Sequence, residues 1–465
     1  MIAPISLEIV VLVLGMSILM LEAFATKIDN KTFAFTGIIG LIAVFAATFF
    51  LAPGSTSSNF YVADSLAIFF KRFSLVTTII VLIMMNDYAP SVRSVAGGQS
   101  RLGEFFALPI LTCAGLMYLV SAVDFVMIFV SLELVTISFF VLVSFTRRNP
   151  ATLEAGVKYL ILGALSTAFF VYGVTWIFGV TGETNLDRIA VAFGKIDIDQ
   201  SAALFGAILV LVGLGFKIAA VPFQIWVPDV YQGAPTPVTA FLSVGSKAAG
   251  FIVLMRVLRP FMMLPNMERL LVLIALLTVV YGNLAALPQT NLKRLLAYSS
   301  IAHAGYLLIG LVCFSGPAVT FYLVAYLLMT LLSFSVLVVV AQQTGDEISD
   351  FDGLAKRSPF LAFAMLIAMV SLAGLPFTAG FFGKFFIFAA AIAQHQTMLV
   401  FAAILTVACG FYYYLKVIRA MYWNGSDKTD KIDINFLSRT AMSALIAAII
   451  FLGVYPQPIL DALKR

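Results

Sequence analysis

Residues 124–143 read DFVMIFVSLELVTISFFVLV: twenty positions with Asp124 at the edge and a second carboxylate, Glu133, at the centre. That length suits an α-helix crossing a bilayer, which needs about 20 consecutive apolar residues. In lipid every backbone amide must be satisfied within the chain, so only helices and closed barrels can span it. A barrel strand would be a run of about 10 residues alternating in polarity, and this stretch does not alternate. It reads as a membrane-spanning helix with an acid at mid-depth.

The rest of the chain repeats the pattern. Of 465 residues 62% are hydrophobic and 11% charged, with a mean hydropathy of +1.05. Soluble domains carry about 25% charged residues, so this chain lacks the polar groups to coat a water-facing surface. Fourteen spans are expected, starting near Ile5, Phe33, Leu66, Phe105, Phe125, Ala155, Ala202, Pro235, Leu270, Leu296, Ala318, Pro359, Leu399 and Ala441. Cys113, Cys313 and Cys409 are isolated in apolar runs, which argues against a disulfide framework or metal cluster. Met1 to Val10 lacks a basic stretch, so the first run reads as a retained span rather than a cleaved leader.

Loops after odd-numbered spans hold fifteen Lys and Arg against seven on the other side. The bias places the odd loops in the cytoplasm and both termini outside. Lys27, Arg101, Lys293 and Lys428 are among the fifteen, and Lys464 and Arg465 among the seven. Net charge +5 then reflects topology. A nucleic-acid surface would gather its charges on one face, and these are dispersed.

Six basic residues fall within spans. Lys71, Arg72 and Lys158 lie near span ends, where long side chains can snorkel to the interface. Lys217 in LVLVGLGFKIAAVPF, Lys247 in TPVTAFLSVGSKAAGFIVLM and Lys384 in GLPFTAGFFGKFFIFAAA lie deeper. A central charge costs about 2.5–3.5 kcal/mol to insert, and four such residues with Glu133 in one chain call for a role. Desolvation disfavours an ammonium's charge and a nearby carboxylate restores it, so a lysine that approaches or leaves a glutamate changes its hold on a proton. The plain alternative is that Glu133 and Lys217 simply hold helices in register.

Spans seven and twelve are expected to be broken, at Val221-Pro222-Phe223 and Leu375-Pro376-Phe377, because proline removes a backbone donor and strands a carbonyl. Broken spans at corresponding positions mark inverted repeats with an ion site at mid-membrane. Five spans separate the two breaks, which inverts the second copy. His303, in LLAYSSIAHAGYLL about a third of the way along span ten, has the titration range of a proton shuttle. Ser299, Ser300 and Tyr306 could extend a polar path from it, and a packed core histidine is the alternative. Glu154 and Lys158 are spaced to pair on one helix face. Asp229 and Glu104 could stand at entrances or simply be solvated, and His395 is assigned no role. Nucleotide-binding, dinucleotide-binding and cluster motifs are missing, so pumping would need a partner or an ion gradient.

FQIWVPDVYQGAPTPVTAFLSVGSKAAG at 223–250, ALPQTNLKRLLAYSSIAHAGY at 286–306 and SLAGLPFTAGFFGKFFIF at 371–388 carry a resemblance over essentially the whole chain. It resembles the antiporter-like subunits of respiratory complex I, in the form of subunit N of the proton-pumping NADH:quinone oxidoreductase. Trp226-Val227-Pro228-Asp229-Val230-Tyr231 lacks the histidine of the sister subunits, and Lys384 stands where an M-type subunit has glutamate. The resemblance implies an all-α integral membrane fold with two inverted five-helix repeats, spans four to eight and nine to thirteen. The corresponding segments are three N-terminal spans (1–100), the repeats (104–258 and 268–422) and a last span (438–465) in one polytopic domain. It makes Glu133 and Lys217 a tuning pair, Lys247 the central relay, Lys384 the residue nearest the outer exit, and places His303 between those two lysines. It implies a bacterial inner membrane location and partners in a membrane arm, including a second antiporter-like subunit and small helical subunits. Flavin, iron–sulfur clusters and quinone are expected on partner subunits, with no cofactor or metal in this chain. A subunit of a cation/proton antiporter or an ion-translocating hydrogenase complex is the alternative.

Overall fold

The computed structural model describes residues 4–24, 30–51, 55–96, 102–195, 198–425 and 430–462. Lys27, Arg101, Lys428, Lys464 and Arg465 lie outside the described residues, as do the segment limits at 1, 100 and 465. Among the described residues thirteen helices are long and apolar enough to cross a membrane. The first seven spans are Pro4–Phe24, Asn30–Ala47, Ser65–Ala96, Gly103–Ser121, Phe125–Val143, Pro150–Thr181 and Gln200–Ile218. Spans eight to eleven are Thr236–Phe261, Met267–Ala286, Leu292–Val312 and Gly316–Ala341. Span twelve is two half-helices, Pro359–Ala373 and Ala379–Ala393, and spans thirteen and fourteen are Thr397–Trp423 and Phe436–Val454. The chain is an all-α integral membrane protein with the expected order of crossings.

Several helices start earlier than the apolar pattern indicates, because polar caps extend them. Span six begins at Pro150, where the Asn149 side chain accepts from Ala151 N at 3.1 Å. Span ten begins at Leu292 under an Asn291 cap that accepts from Arg294 N at 3.1 Å. Such caps satisfy amides that the helix itself cannot. The extra turn moves His303 from a third of the way along span ten to near its middle. It also draws Lys293, counted with the inner loops, into the helix, where it is buried and donates to the carbonyls of Gln232 at 3.2 Å and Ala234 at 3.3 Å.

Both expected breaks are present. Span seven stops at Ala219, with φ 64°, and the chain turns through Pro222 before the short helix Trp226–Gly233. Span twelve stops at Gly374, φ 88°, and Phe377, φ 65°, flanks Pro376 before the second half-helix starts. A third irregularity has no proline to announce it: residues Leu242–Ser246 of span eight form a π-turn directly before Lys247. Such bulges concentrate at functional sites.

Spans eight, ten and eleven are almost wholly enclosed, whereas spans six, nine and thirteen turn broad apolar faces outward. An enclosed helix can carry polar groups that lipid would reject. Two matching devices hold the enclosure. Asp124 bridges Asn185 ahead of span five, with Phe125 N to Thr184 O and Leu186 N to Val123 O both 2.9 Å. Asn291 bridges Glu347 ahead of span ten, with Leu292 N to Asp346 O and Ile348 N to Thr290 O both 2.8 Å. Successive crossings alternate in direction, so these two entrances lie at opposite faces.

Between spans two and three a hairpin pairs Ser55–Ser58 with Tyr61–Ala63, and Tyr61 also bridges Ala122. This cover corrects the reading of Lys71. Its side chain does not snorkel: it is fully buried, 2.7 Å from the Glu8 carboxylate, because span one and the hairpin close its route to water. Arg72 stays partly buried and donates to Thr48 O and Oγ1 at 3.0 Å each. Lys158 behaves as expected, with a side chain 40% exposed that meets Glu154 at 2.6 Å.

Candidate functional site

The enclosed centre is where the ionisable residues gather. Lys217 occupies the last turn of the first part of span seven and is buried. Its ammonium donates to Thr136 Oγ1. Thr136 lies three residues beyond Glu133 on span five, so the two share a helix face one turn apart. Glu133 is not in contact with Lys217 here: it is partly exposed between spans five and six and accepts from Thr167 Oγ1 at 2.8 Å. The expected pair is therefore a separated one, with threonines holding each member. Window reading places both residues at depth, but the rotation of span five decides which of its residues meets the lysine.

Lys247 follows the π-turn and is 2% exposed. It reaches across to span ten and donates to Ser300 O at 2.6 Å and to Ser300 Oγ. Ser300 Oγ also accepts from Tyr326 of span eleven at 2.8 Å and lies 3.3 Å from Tyr231 OH. Span seven approaches this helix closely. A Cβ built on Gly250, one turn past Lys247, would meet Ile218 Cγ2 at 3.0 Å and Lys217 Cβ at 3.6 Å. The glycine lets the two lysine-bearing backbones lie side by side.

His303 is 2% exposed and both ring nitrogens are engaged, Nδ1 with Tyr322 OH at 2.6 Å and Nε2 with Tyr414 OH at 3.2 Å. Tyr414 OH bonds in turn to Ser299 Oγ. Ser299 and Ser300 are consecutive on span ten, so the hydroxyls around His303 and those around Lys247 are anchored on neighbouring residues that point to different sides of one helix. Tyr326 adds a second link, its ring 5.3 Å from the imidazole.

Lys384 lies in the second half-helix of span twelve and turns back to the end of the first. Its ammonium donates to Leu372 O at 3.0 Å and Ala373 O at 2.8 Å. These are the carbonyls a helix C-terminus leaves unpaired, at the negative end of its dipole. The break thus creates the lysine's binding place. Gly374 is essential to it, because a Cβ there would meet Lys384 Cδ at 2.9 Å and would be held at φ 88°. Lys384 also lies 5.3 Å over the Tyr306 ring, whose hydroxyl bonds Asn283 at 3.2 Å. That ring lies 6.0 Å from His303.

The sequence reading missed most of the connecting groups. Tyr322, Tyr326, Tyr414 and Thr136 are tyrosines and a threonine in apolar runs, and only their common burial at a centre with charged residues marks them. At the surface Asp229 is engaged rather than free, meeting Lys158 at 2.7 Å and Arg294 at 2.8 Å. His395 lies in the turn between spans twelve and thirteen.

One sequence separation, 167 residues, relates Phe125 to Leu292, Glu133 to Ser300 and Thr136 to His303 on spans five and ten, whereas the breaks at Pro222 and Pro376 are 154 apart. Residues 122–409 match the family described as NADH:quinone oxidoreductase/Mrp antiporter, TM. The chain is 39% identical to NADH-quinone oxidoreductase subunit N of Moorella thermoacetica, over 98% of this chain and 96% of that one. It is 38% identical to the protein of that name from Trichlorobacter lovleyi, over 98% and 94%. A chain of respiratory complex I from Thermus thermophilus superposes with a TM-score of 0.84, at 33% identity and 98% coverage of both.

Proposed function

The chain belongs to the subunit N family of NADH:quinone oxidoreductase, and on that premise we propose that it carries protons through its centre along Glu133, Lys217, Lys247, His303 and Lys384. It is an antiporter-like membrane subunit that works beside membrane-arm partners. The observation that carries the proposal is the chain of hydroxyl groups binding Lys247 to Ser300 and His303 to Tyr322, Tyr414 and Ser299 inside otherwise apolar spans.

The relay works by charge proximity. A perturbation from partner subunits acts at Glu133, the partly exposed member, and frees Lys217 from Thr136. Lys217 then turns toward Lys247, and two ammonium groups in a poorly solvating interior disfavour each other's charge. The proton leaves through Ser300 and His303 toward Lys384, whose carbonyl cage accepts a cation. Moving one charge against 100 mV costs about 2.3 kcal/mol, and one pKa unit is about 1.4 kcal/mol, so changes of a few units suffice. Electrons, on this reading, travel through flavin and iron–sulfur groups to quinone in partner subunits. Spans four to eight and nine to thirteen form the two inverted units, in a bacterial inner membrane with both termini outside.

Lys247→Ala in the assembled complex, reconstituted in vesicles, should remove the proton translocation that depends on this subunit while subunit content stays normal. Unchanged proton translocation per electron in that variant overturns the relay. A Na⁺-dependent proton flux would point instead to a cation antiporter.

A further inference from the structure

Glu8 and Lys71 stand apart from the relay, in spans one and three. Both side chains are fully buried, with Lys71 Nζ 2.7 Å from Glu8 Oε1. Tyr61 joins them: its hydroxyl donates to Glu8 Oε1 at 2.8 Å and accepts from the Lys71 ammonium. Oε1 therefore takes two donors, while Oε2, equally buried, has no hydrogen-bond partner among the described residues. A clamp whose only task was to hold two helices would gain from sharing its donors between both oxygens, since an unsatisfied buried acceptor is destabilising. The arrangement leaves one carboxylate oxygen ready for a proton.

The site lies toward one end of its spans and not at mid-depth. Glu8 is four residues past the start of span one, about 6 Å along its axis at about 1.5 Å per residue. Asp64 and Arg256, paired at 2.9 Å, mark the nearby face with a partly exposed ion pair. The other titratable groups close enough to interact with the pair are Cys113 and Tyr118 of span four and Asp64 ahead of span three.

We propose that Glu8, Lys71 and Tyr61 form a second proton-binding site, confined to the N-terminal spans and separate from the central relay. In its resting form the carboxylate and ammonium neutralise each other. Uptake of one proton from water forms an O–H bond at Oε2 and leaves Lys71 as the ammonium, so the site gains one positive charge. Release reverses the step. Because that charge is created in a buried place, loading responds to neighbouring charge as well as to pH. The proposal does not depend on the relay.

The test is pH-jump infrared difference spectroscopy on membranes holding the full chain with its natural partners. The wild type should show a deuterium-sensitive C=O band of a protonated carboxyl that Glu8→Gln abolishes and Lys247→Ala retains. Superimposable wild-type and Glu8→Gln spectra at equal protein content would overturn the proposal and leave a permanently ionised clamp. If Glu8→Gln fails to accumulate, Glu8→Asp decides: a shifted band supports the site, and an unshifted one overturns it.

Discussion

In spans four to eight, Lys217 donates to a threonine hydroxyl on span five, one turn from a carboxylate. In spans nine to thirteen, Lys384 lies past the break of span twelve, where Lys217 lies just before that of span seven, and it donates to two backbone carbonyls of its own broken span. The residue matching Thr136 is His303, which is occupied by two tyrosines instead. The residue matching Glu133 is Ser300, which receives Lys247 from the other region. The same helical frame therefore presents one lysine to a side chain that a rotamer change can withdraw, and the other to carbonyls fixed in a helix end. On the proposed relay, the first region is the one adjusted and the second the one that receives. Lys247 joins them because it crosses between regions to Ser300, whereas Tyr414 stays within its own.

The comparison is broken most sharply at the two lysines. Lys217→Met and Lys384→Met should each reduce subunit-dependent proton translocation to background in reconstituted vesicles, if the two regions act in series. Full flux in either variant would mean that they act in parallel. Gly374→Val should come next, because the β-branched side chain is held at positive φ against Lys384. Backbone strain there costs about 1–3 kcal/mol, to be read as a lower temperature of half-inactivation and reduced translocation. Thr136→Val keeps shape and removes the hydroxyl from Lys217. A hydrogen bond to a charged group contributes about 1.5–3 kcal/mol, so the rate of translocation should change by roughly ten- to a hundred-fold, and an unchanged rate would show that Thr136 is incidental. The smallest expected effect compares the caps. Asp124→Ala and Asn291→Ala should each cost about 1 kcal/mol in thermal stability, and a large inequality would weaken the correspondence between the two regions.

Much of the centre was legible before any fold was known. Glu133, Lys217, Lys247, His303 and Lys384 stood out because lipid makes a buried charge costly, and Pro222 and Pro376 located the breaks because proline removes a donor wherever it stands. The tyrosines did not stand out, since a tyrosine in an apolar run reads as packing until its hydroxyl is placed. Lys71 was misjudged for a related reason. Its position near a span end suggested access to water, and only the hairpin carrying Tyr61 and the flank of span one close that access.

What the sequence by itself determined is the order of the crossings, the two proline breaks and the placement of Glu133, Lys217, Lys247 and Lys384 within spans, because hydrophobic length and backbone chemistry are properties of a local window. What the tertiary structure decided is which groups meet. Thr136 rather than Glu133 receives Lys217, helix-end carbonyls hold Lys384, and Glu8 finds Lys71 far along the chain. These contacts depend on the rotation of each helix about its axis and on which neighbours enclose it. Packing between distant segments sets both.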